Sequence, residues 1–178
     1  TATVTITGSN DAPTVSSVVS ASAIENDAGF SVDLLAGSSD ADGSDTLNVS
    51  GLTLVSGDAV GVTVTGNSLS VDPGLYDSLG EGETEVISYS YNIAESNGGS
   101  VPQTATITIV GTNVGPVIDL DQNDSTLPGS GFATNYTEGS GSVFIADSDI
   151  IISDVDDDSI ESATITISNV EAGDLLTV

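Results

Sequence analysis

The chain contains no Lys, no Arg, no His and no Cys, and it also lacks Met and Trp. Each absence excludes something. Without Lys, Arg or His, none of the 27 Asp and Glu side chains can form an ion pair with another side chain, and the formal net charge is −27. Such a chain cannot neutralise phosphates by releasing counterions, so nucleic acid is excluded as a partner, and so is an anionic membrane surface. Without His or Cys there is no nucleophile–His or Cys–His pair, and without Lys there is no amine or P-loop chemistry. A carboxylate pair is the only acid–base device left, and no two acids are singled out for that task. Without Cys no disulfide braces the fold, which leaves metal as the remaining staple. No apolar run reaches the roughly 20 residues of a membrane span.

What is present is β-forming. Apolar residues make up 38% of the chain and aromatics only 4%, while Ser and Thr supply about a quarter of the positions. β-Branched residues suit half-buried pleated surfaces, and this much Val, Ile and Leu is enough for packed cores, which rules out a disordered acidic tail.

An internal repeat organises the chain. Thr1-Ala-Thr-Val-Thr-Ile-Thr-Gly-Ser-Asn-Asp-Ala-Pro-Thr-Val15 recurs as Thr104-Ala-Thr-Ile-Thr-Ile-Val-Gly-Thr-Asn-Val-Gly-Pro-Val-Ile118, identical at 8 of 15 positions and offset by 103 residues. The period matches a whole sandwich domain rather than a solenoid unit. Both copies open on strict alternation, the pattern of a half-buried strand, and then reach Pro13 or Pro116 through Gly and Asn. The repeat therefore reads as a last strand, a linker and the next first strand. Residues 1–10 are expected to close one domain, 11–113 to form a complete one, and 114–178 to open another that is truncated. Within 11–113 strands are expected near 13–19, 28–36, 46–55, 60–65, 68–72, 85–94 and 102–110. A bulge is expected at Gly51, and one helical turn near Asp72-Pro-Gly-Leu-Tyr-Asp-Ser-Leu79, capped by Asp72. Tyr89 and Tyr91 fall on the apolar face of their strand and are assigned to the core.

The acidic residues are clumped: none lies between Ser96 and Ile118, whereas seven fall between Asp147 and Glu161. Ca²⁺ takes six to eight oxygen ligands, and Asp-x-Asp loops supply that ligand type. Asp40-Ala-Asp42-Gly-Ser-Asp45 and Asp154-Val-Asp-Asp-Asp158 have this form, though neither is an EF-hand string. Three Asn-x-Ser/Thr sequons, at Asn48, Asn123 and Asn135, are no more than the composition produces by chance.

Residues 76–118 contain Tyr76-Asp-Ser-Leu-Gly-Glu-Gly-Glu83, Tyr89-Ser-Tyr-Asn-Ile-Ala-Glu-Ser-Asn-Gly-Gly99, Thr104-Ala-Thr-Ile-Thr-Ile109 and Gly111-Thr-Asn-Val-Gly-Pro116. Through these motifs they resemble the second half of the cadherin-like and VCBS-type repeats of giant bacterial surface adhesins. Residues 117–178 are similar to a second flavour of these repeats through Tyr136-Thr-Glu-Gly139, Ile145-Ala-Asp147, Asp154-Val-Asp-Asp157 and Ser162-Ala-Thr-Ile-Thr-Ile167. The resemblance implies an all-β architecture of tandem Ig-like, cadherin-like Greek-key sandwiches that bind Ca²⁺ where domains meet. Carried over, the upstream junction would use Asn10, Asp11, Asp40, Asp42 and Glu95. The downstream junction would use Glu25, Glu81 or Glu83, Asn113, Asp154 and Asp156. Val114 stands where the first linker has Asp11, so Asp119 or Asp121 is expected to supply the missing carboxylate. The implied role is a non-catalytic, secreted or cell-surface stalk whose partners are neighbouring domains of the same long chain. Two other roles stay open: a carbohydrate- or partner-binding module with Tyr76 and Tyr136 as exposed aromatics, and a unit of an extracellular filament or sheath.

Overall fold

The computed structural model describes residues 1–168 and 172–176. Positions 169–171 and 177–178, in the segment expected to open a second sandwich, lie outside the described residues. The chain divides into two compact units, Thr1–Val114 and Gly115–Val178.

The first unit is a β-sandwich. Its strands are β1 (Thr14–Val15), β2 (Val19–Ile24), β3 (Phe30–Asp33), β4 (Ser38–Ser39), β5 (Asn48–Ser56), β6 (Val62–Thr65), β7 (Ser68–Val71), β8 (Thr84–Ala94) and β9 (Ser100–Val110). One sheet has the order β2-β9-β8-β5 and the other β3-β7-β6, while β1 pairs with β4. The chain crosses between the two main sheets after β2, β3, β5 and β7, a Greek-key path. All main pairings are antiparallel except β2 with β9, which run parallel from Val19↔Ala105 to Ile24↔Val110.

Alternation explains the core. In β8, Ile87, Tyr89, Tyr91 and Ile93 are buried, and in β9 Ala105, Ile107 and Ile109 are buried beside them, because successive side chains point to opposite faces. The register sets bulky against small, with Tyr89 opposite Ala105. Val32, Leu34, Leu69 and Val71 close the core from the other sheet. Tyr91 ties the layers by donating its hydroxyl to the Leu34 carbonyl at 2.8 Å. Burial of that phenol pushes its pKa up to about 12. Gly51 takes φ +63° where the β5–β8 register slips between Ser50 and Thr53, so the expected bulge is present.

Several local readings are corrected. The expected strand 13–19 is two pieces, because Ser16 and Ser17 carry the chain from β1 to the other sheet; Ser16 N donates to Gly37 O and Gln103 Nε2 to Ser17 O. Strand β2 was not anticipated, since Ala21 and Ala23 give its buried face little apolar contrast. Residues 1–13 carry no strand, and Val4 and Ile6 are 83% and 91% exposed: among the described residues no neighbour hydrogen-bonds this alternating segment as a strand. The expected turn is a 3-10 helix at Pro73–Tyr76, but Asp72 caps it through backbone position and not through its side chain. Tyr76, expected to be exposed, is 4% exposed. Its ring packs over Gly61, and its hydroxyl donates to Asp58 O at 3.0 Å and accepts from Gly61 N at 3.2 Å.

In the second unit β10 (Val117–Asp119) pairs antiparallel with β11 (Ile151–Ser153). The alternating stretch 162–167 carries no strand. Among the described residues no helix is long and apolar enough to cross a membrane.

Candidate metal centres

At one end of the sandwich three pieces of chain meet: the segment before β1, the loop between β4 and β5, and the turn between β8 and β9. The loop begins Asp40-Ala-Asp42-Gly-Ser-Asp45 and folds back on itself, with Asp42 N donating to Asp40 Oδ1 at 2.8 Å and Asp45 N to Asp42 O at 2.9 Å. Asp45 is thereby returned to the side of Asp40. The β8–β9 turn is closed by Glu95 N donating to Gly99 O at 3.0 Å and by Gly99 N donating to Glu95 Oε1 at 2.7 Å. Carboxylate oxygens of Asp40, Asp45 and Glu95 consequently lie within 4.8 Å of one another.

Each of these carboxylates divides its two oxygens in the same way. One is held by the protein. Asp40 Oδ1 accepts from Asp42 N, Asp45 Oδ1 from Ser96 Oγ and Asn97 Nδ2, and Glu95 Oε1 from Gly99 N and Asn10 Nδ2. The other oxygen, Asp40 Oδ2, Asp45 Oδ2 or Glu95 Oε2, is buried and has no donor. Glu95 as a whole is only 7% exposed. Buried acceptors without donors are costly, and on three converging carboxylates more so. Within the protein the one relief is a shared proton. Asp45 is raised above the usual carboxylate range by its contact with Glu95 and by burial, while Glu95 is lowered by hydrogen bonds from Asp45, Asn10 and the Gly99 amide. A cation removes the need for that proton. The donor set is all hard carboxylate oxygen and so fits Ca²⁺ in chemistry.

Of the residues expected at this end, Asp40 and Glu95 join the converging group and Asn10 braces Glu95. Asp42 instead accepts from Asp11 N at 2.7 Å, so its carboxylate pins the entering chain. Asp45 was absent from the expected set. The Asp-x-Asp spacing draws attention to positions 40 and 42, whereas the turn from Asp42 to Asp45 is what chooses position 45.

At the opposite end of the sandwich Glu25 follows β2. It is 1% exposed, its Oε1 accepts from Thr112 N at 2.8 Å and Thr112 Oγ1 at 2.7 Å, and its Oε2 is buried without a donor. Glu83 stands at the same end, its backbone paired with Gly80 and Gly111 and its Oε2 accepting from Gly80 N at 3.2 Å. Glu81 and Asn113 are exposed. Among the described residues these do not form a group of three converging acids.

The second unit holds two acidic groups: Asp121 with Asp147 and Asp149, and Asp154 with Asp156 and Asp157. Asp121 is fully buried, and both its oxygens are engaged by Ser125, Thr126 and Leu127, the closest being Thr126 N and Oγ1, each at 2.6 Å. Led by the Thr126 hydroxyl, these donors hold its pKa far below the usual range. Asp119 Oδ1 accepts from Asp121 N at 3.1 Å. Ser125 Oγ links Asp121 to Asp147 Oδ2 at 2.8 Å, and Asn123 N donates to Asp149 Oδ2 at 3.1 Å. Asp154 is raised by its hydrogen bond with Asp156 and by burial. Asp147, Asp149 and Asp157 were absent from the expected set; the dense acidic run from Asp147 was the signal available for them.

Comparison with known proteins bears on the first unit. A solved structure that matches is a nucleoside hydrolase-related hypothetical protein from Saccharophagus degradans, associated with carbohydrate metabolism. The identity is 20% and the TM-score 0.38, over 56% of this chain and 26% of that one. The chain thus spans about a quarter of that protein, and a likeness this low carries no argument about fold or activity. No curated protein matches the chain. A family model does match, that of the cadherin-like domain, over residues 9–110, which takes in all nine strands of the sandwich together with Asp40, Asp45 and Glu95. The chain belongs to the cadherin-like domain family.

Proposed function

We propose that this chain is a segment of the non-catalytic stalk of a large bacterial surface protein, made of tandem sandwiches that Ca²⁺ stiffens at their ends. The observation that supports it most is the triad Asp40, Asp45 and Glu95, whose carboxylates converge and each keep one buried oxygen without a donor. Asn10 and Asp11 are hydrogen-bonded to Glu95 and Asp42, so the chain entering the domain is tied to the same loops. A cation drawn to the triad fixes those loops, and through them the linker. Without it, carboxylate repulsion loosens the attachment and the preceding domain swings.

Mass action sets the scale: at free Ca²⁺ tenfold above Kd, a site adds about 1.4 kcal/mol to folded-state stability. Extracellular modules have Kd of roughly 10⁻⁴–10⁻³ M, so such a site fills outside the cell and not in cytosol. The absence of His, Cys and Lys leaves no ordinary catalytic pair, in keeping with a spacer role. A chain with net charge far from zero and no basic patches also resists non-specific sticking.

Calorimetric titration with Ca²⁺, paired with small-angle scattering in Ca²⁺ and in chelator, tests the reading. Saturable binding weakened by Asp45→Asn, together with a longer, stiffer particle in Ca²⁺, is expected. Scattering and melting indifferent to chelator would sink it.

One observation favours a second reading. Tyr136 and Phe144, 64% and 84% exposed, line a groove of about 540 Å³ in the second unit with Val143, Ile145 and Leu175. Glycan-array retention lost in Tyr136→Ala would move the assignment towards a binding module.

A further inference from the structure

We propose that the Asn97–Gly98 peptide is a self-modification site, an asparagine that deamidates spontaneously and whose conversion is governed by the cation site beside it. The inference rests on the calcium reading above for its regulation, though not for its chemistry. Of the chain's ten asparagines only Asn97 is followed by Gly. Both residues are exposed and lie in the turn between β8 and β9, and Gly98 has φ +108° with open space where a Cβ would stand. A glycine at this position leaves the following backbone nitrogen unobstructed.

The reaction needs only water. Gly98 N attacks Asn97 Cγ, the N–Cγ bond forms, the Cγ–Nδ2 bond breaks, and ammonia leaves with the displaced proton. Water then opens the cyclic imide at either carbonyl, giving aspartate or isoaspartate at position 97. The side chain that must move is also the one that braces the triad, because Asn97 Nδ2 donates to Asp45 Oδ1. A cation on Asp45 Oδ2 fixes Asp45, keeps Asn97 in place, and holds Cγ away from the Gly98 nitrogen. Its removal releases both.

Conversion acts back on the site. Isoaspartate routes the backbone through the former side chain and lengthens it by one methylene between Glu95 and Gly99. The turn that lets Gly99 N hold Glu95 Oε1 at 2.7 Å then loses its closure. Loss of one such charge-assisted bond predicts roughly a tenfold fall in Ca²⁺ affinity.

The full chain is incubated at mildly alkaline pH in Ca²⁺ or in chelator, with peptide mapping by mass spectrometry and enzymatic methylation of isoaspartate. Conversion at position 97, about fivefold or more faster in chelator and abolished in Asn97→Gln, is the expected result. An intact Asn97 in both conditions overturns the proposal, and equal rates in both overturn its control by the cation. Ca²⁺ titration of freshly prepared chain separates the two readings: no binding there defeats the calcium assignment, whereas the mapping still reports conversion in chelator.

Discussion

Replacing Tyr76 by Phe removes one oxygen from the sandwich and isolates what that hydroxyl does. The ring is 4% exposed and its apolar area stays buried in the variant. Two hydrogen bonds go, to Asp58 O at 3.0 Å and from Gly61 N at 3.2 Å. They are not equivalent. Asp58 is exposed, so its carbonyl regains water; Gly61 is buried, so its N–H is left without an acceptor. The larger cost is therefore the orphaned donor, about 1–2 kcal/mol. No other residue fits at position 61 to compensate, since a Cβ there would sit 2.5 Å from the Tyr76 ring and 2.4 Å from Asp72 O. For a domain of this size each kcal/mol lowers Tm by about 4–8 °C, so a fall of roughly 5–15 °C is expected for the first unit. The assay is thermal unfolding by circular dichroism in saturating Ca²⁺, with Tyr136→Phe as the exposed control. A Tyr76→Phe Tm within about 2 °C of the parent would refute the assignment of Tyr76 as a structural tie and restore it as a surface aromatic.

Asp45→Asn is expected to weaken Ca²⁺ binding about tenfold or more, whereas Asp42→Asn leaves it nearly unchanged and loosens the Asp11 backbone contact; calorimetry on both checks the choice of position 45 over 42. Gly99→Ala would place a Cβ 2.3 Å from Glu95 Oε1 and 3.0 Å from Ala12 Cα, so it should misdirect the Glu95 carboxylate and lower the Ca²⁺-induced rise in Tm, with little change in chelator. Alkaline titration is unusually clean here, because no Lys, Cys or Arg ionises alongside the tyrosines. Tyr91 is raised to about 12, with Tyr76 and Tyr89 also raised by burial. Above pH 10 unfolded tyrosines therefore hold fewer protons than folded ones, so this stability is complete below about pH 10 and lost as pH climbs towards 12. Phenolate absorbance of these three should rise together with unfolding; their ionisation near pH 10 in a folded chain would contradict their burial.

The long strands were legible because their alternation has high contrast: Ile87 to Ile93 and Ala105 to Ile109 bury every second side chain. β2 was not, because alanine between serines buries a face without announcing it. Tyr76 misled for a related reason: it sits in a Pro-Gly turn where no period operates, and its burial comes from a contact with Gly61, fifteen residues away. The acidic loops were legible as places, but which carboxylates converge depends on backbone turns. Asp40 and Asp45 meet because the chain reverses between them, and Glu95 joins them from a hairpin fifty residues on. Asp121 shows the converse: a carboxylate chosen for its charge is wrapped by hydroxyl and amide donors of its own loop.

The parallel pairing of β2 with β9 has a mechanical consequence. The chain enters β2 at the triad end and leaves β9 at the Glu25 end, so tension applied through the flanking chain drags these strands past each other along their length. Six residue pairs, from Val19↔Ala105 to Ile24↔Val110, then share the force at once instead of parting one by one like a zipper. The sandwich is thus built to resist stretching along the line of the chain far better than peeling across it.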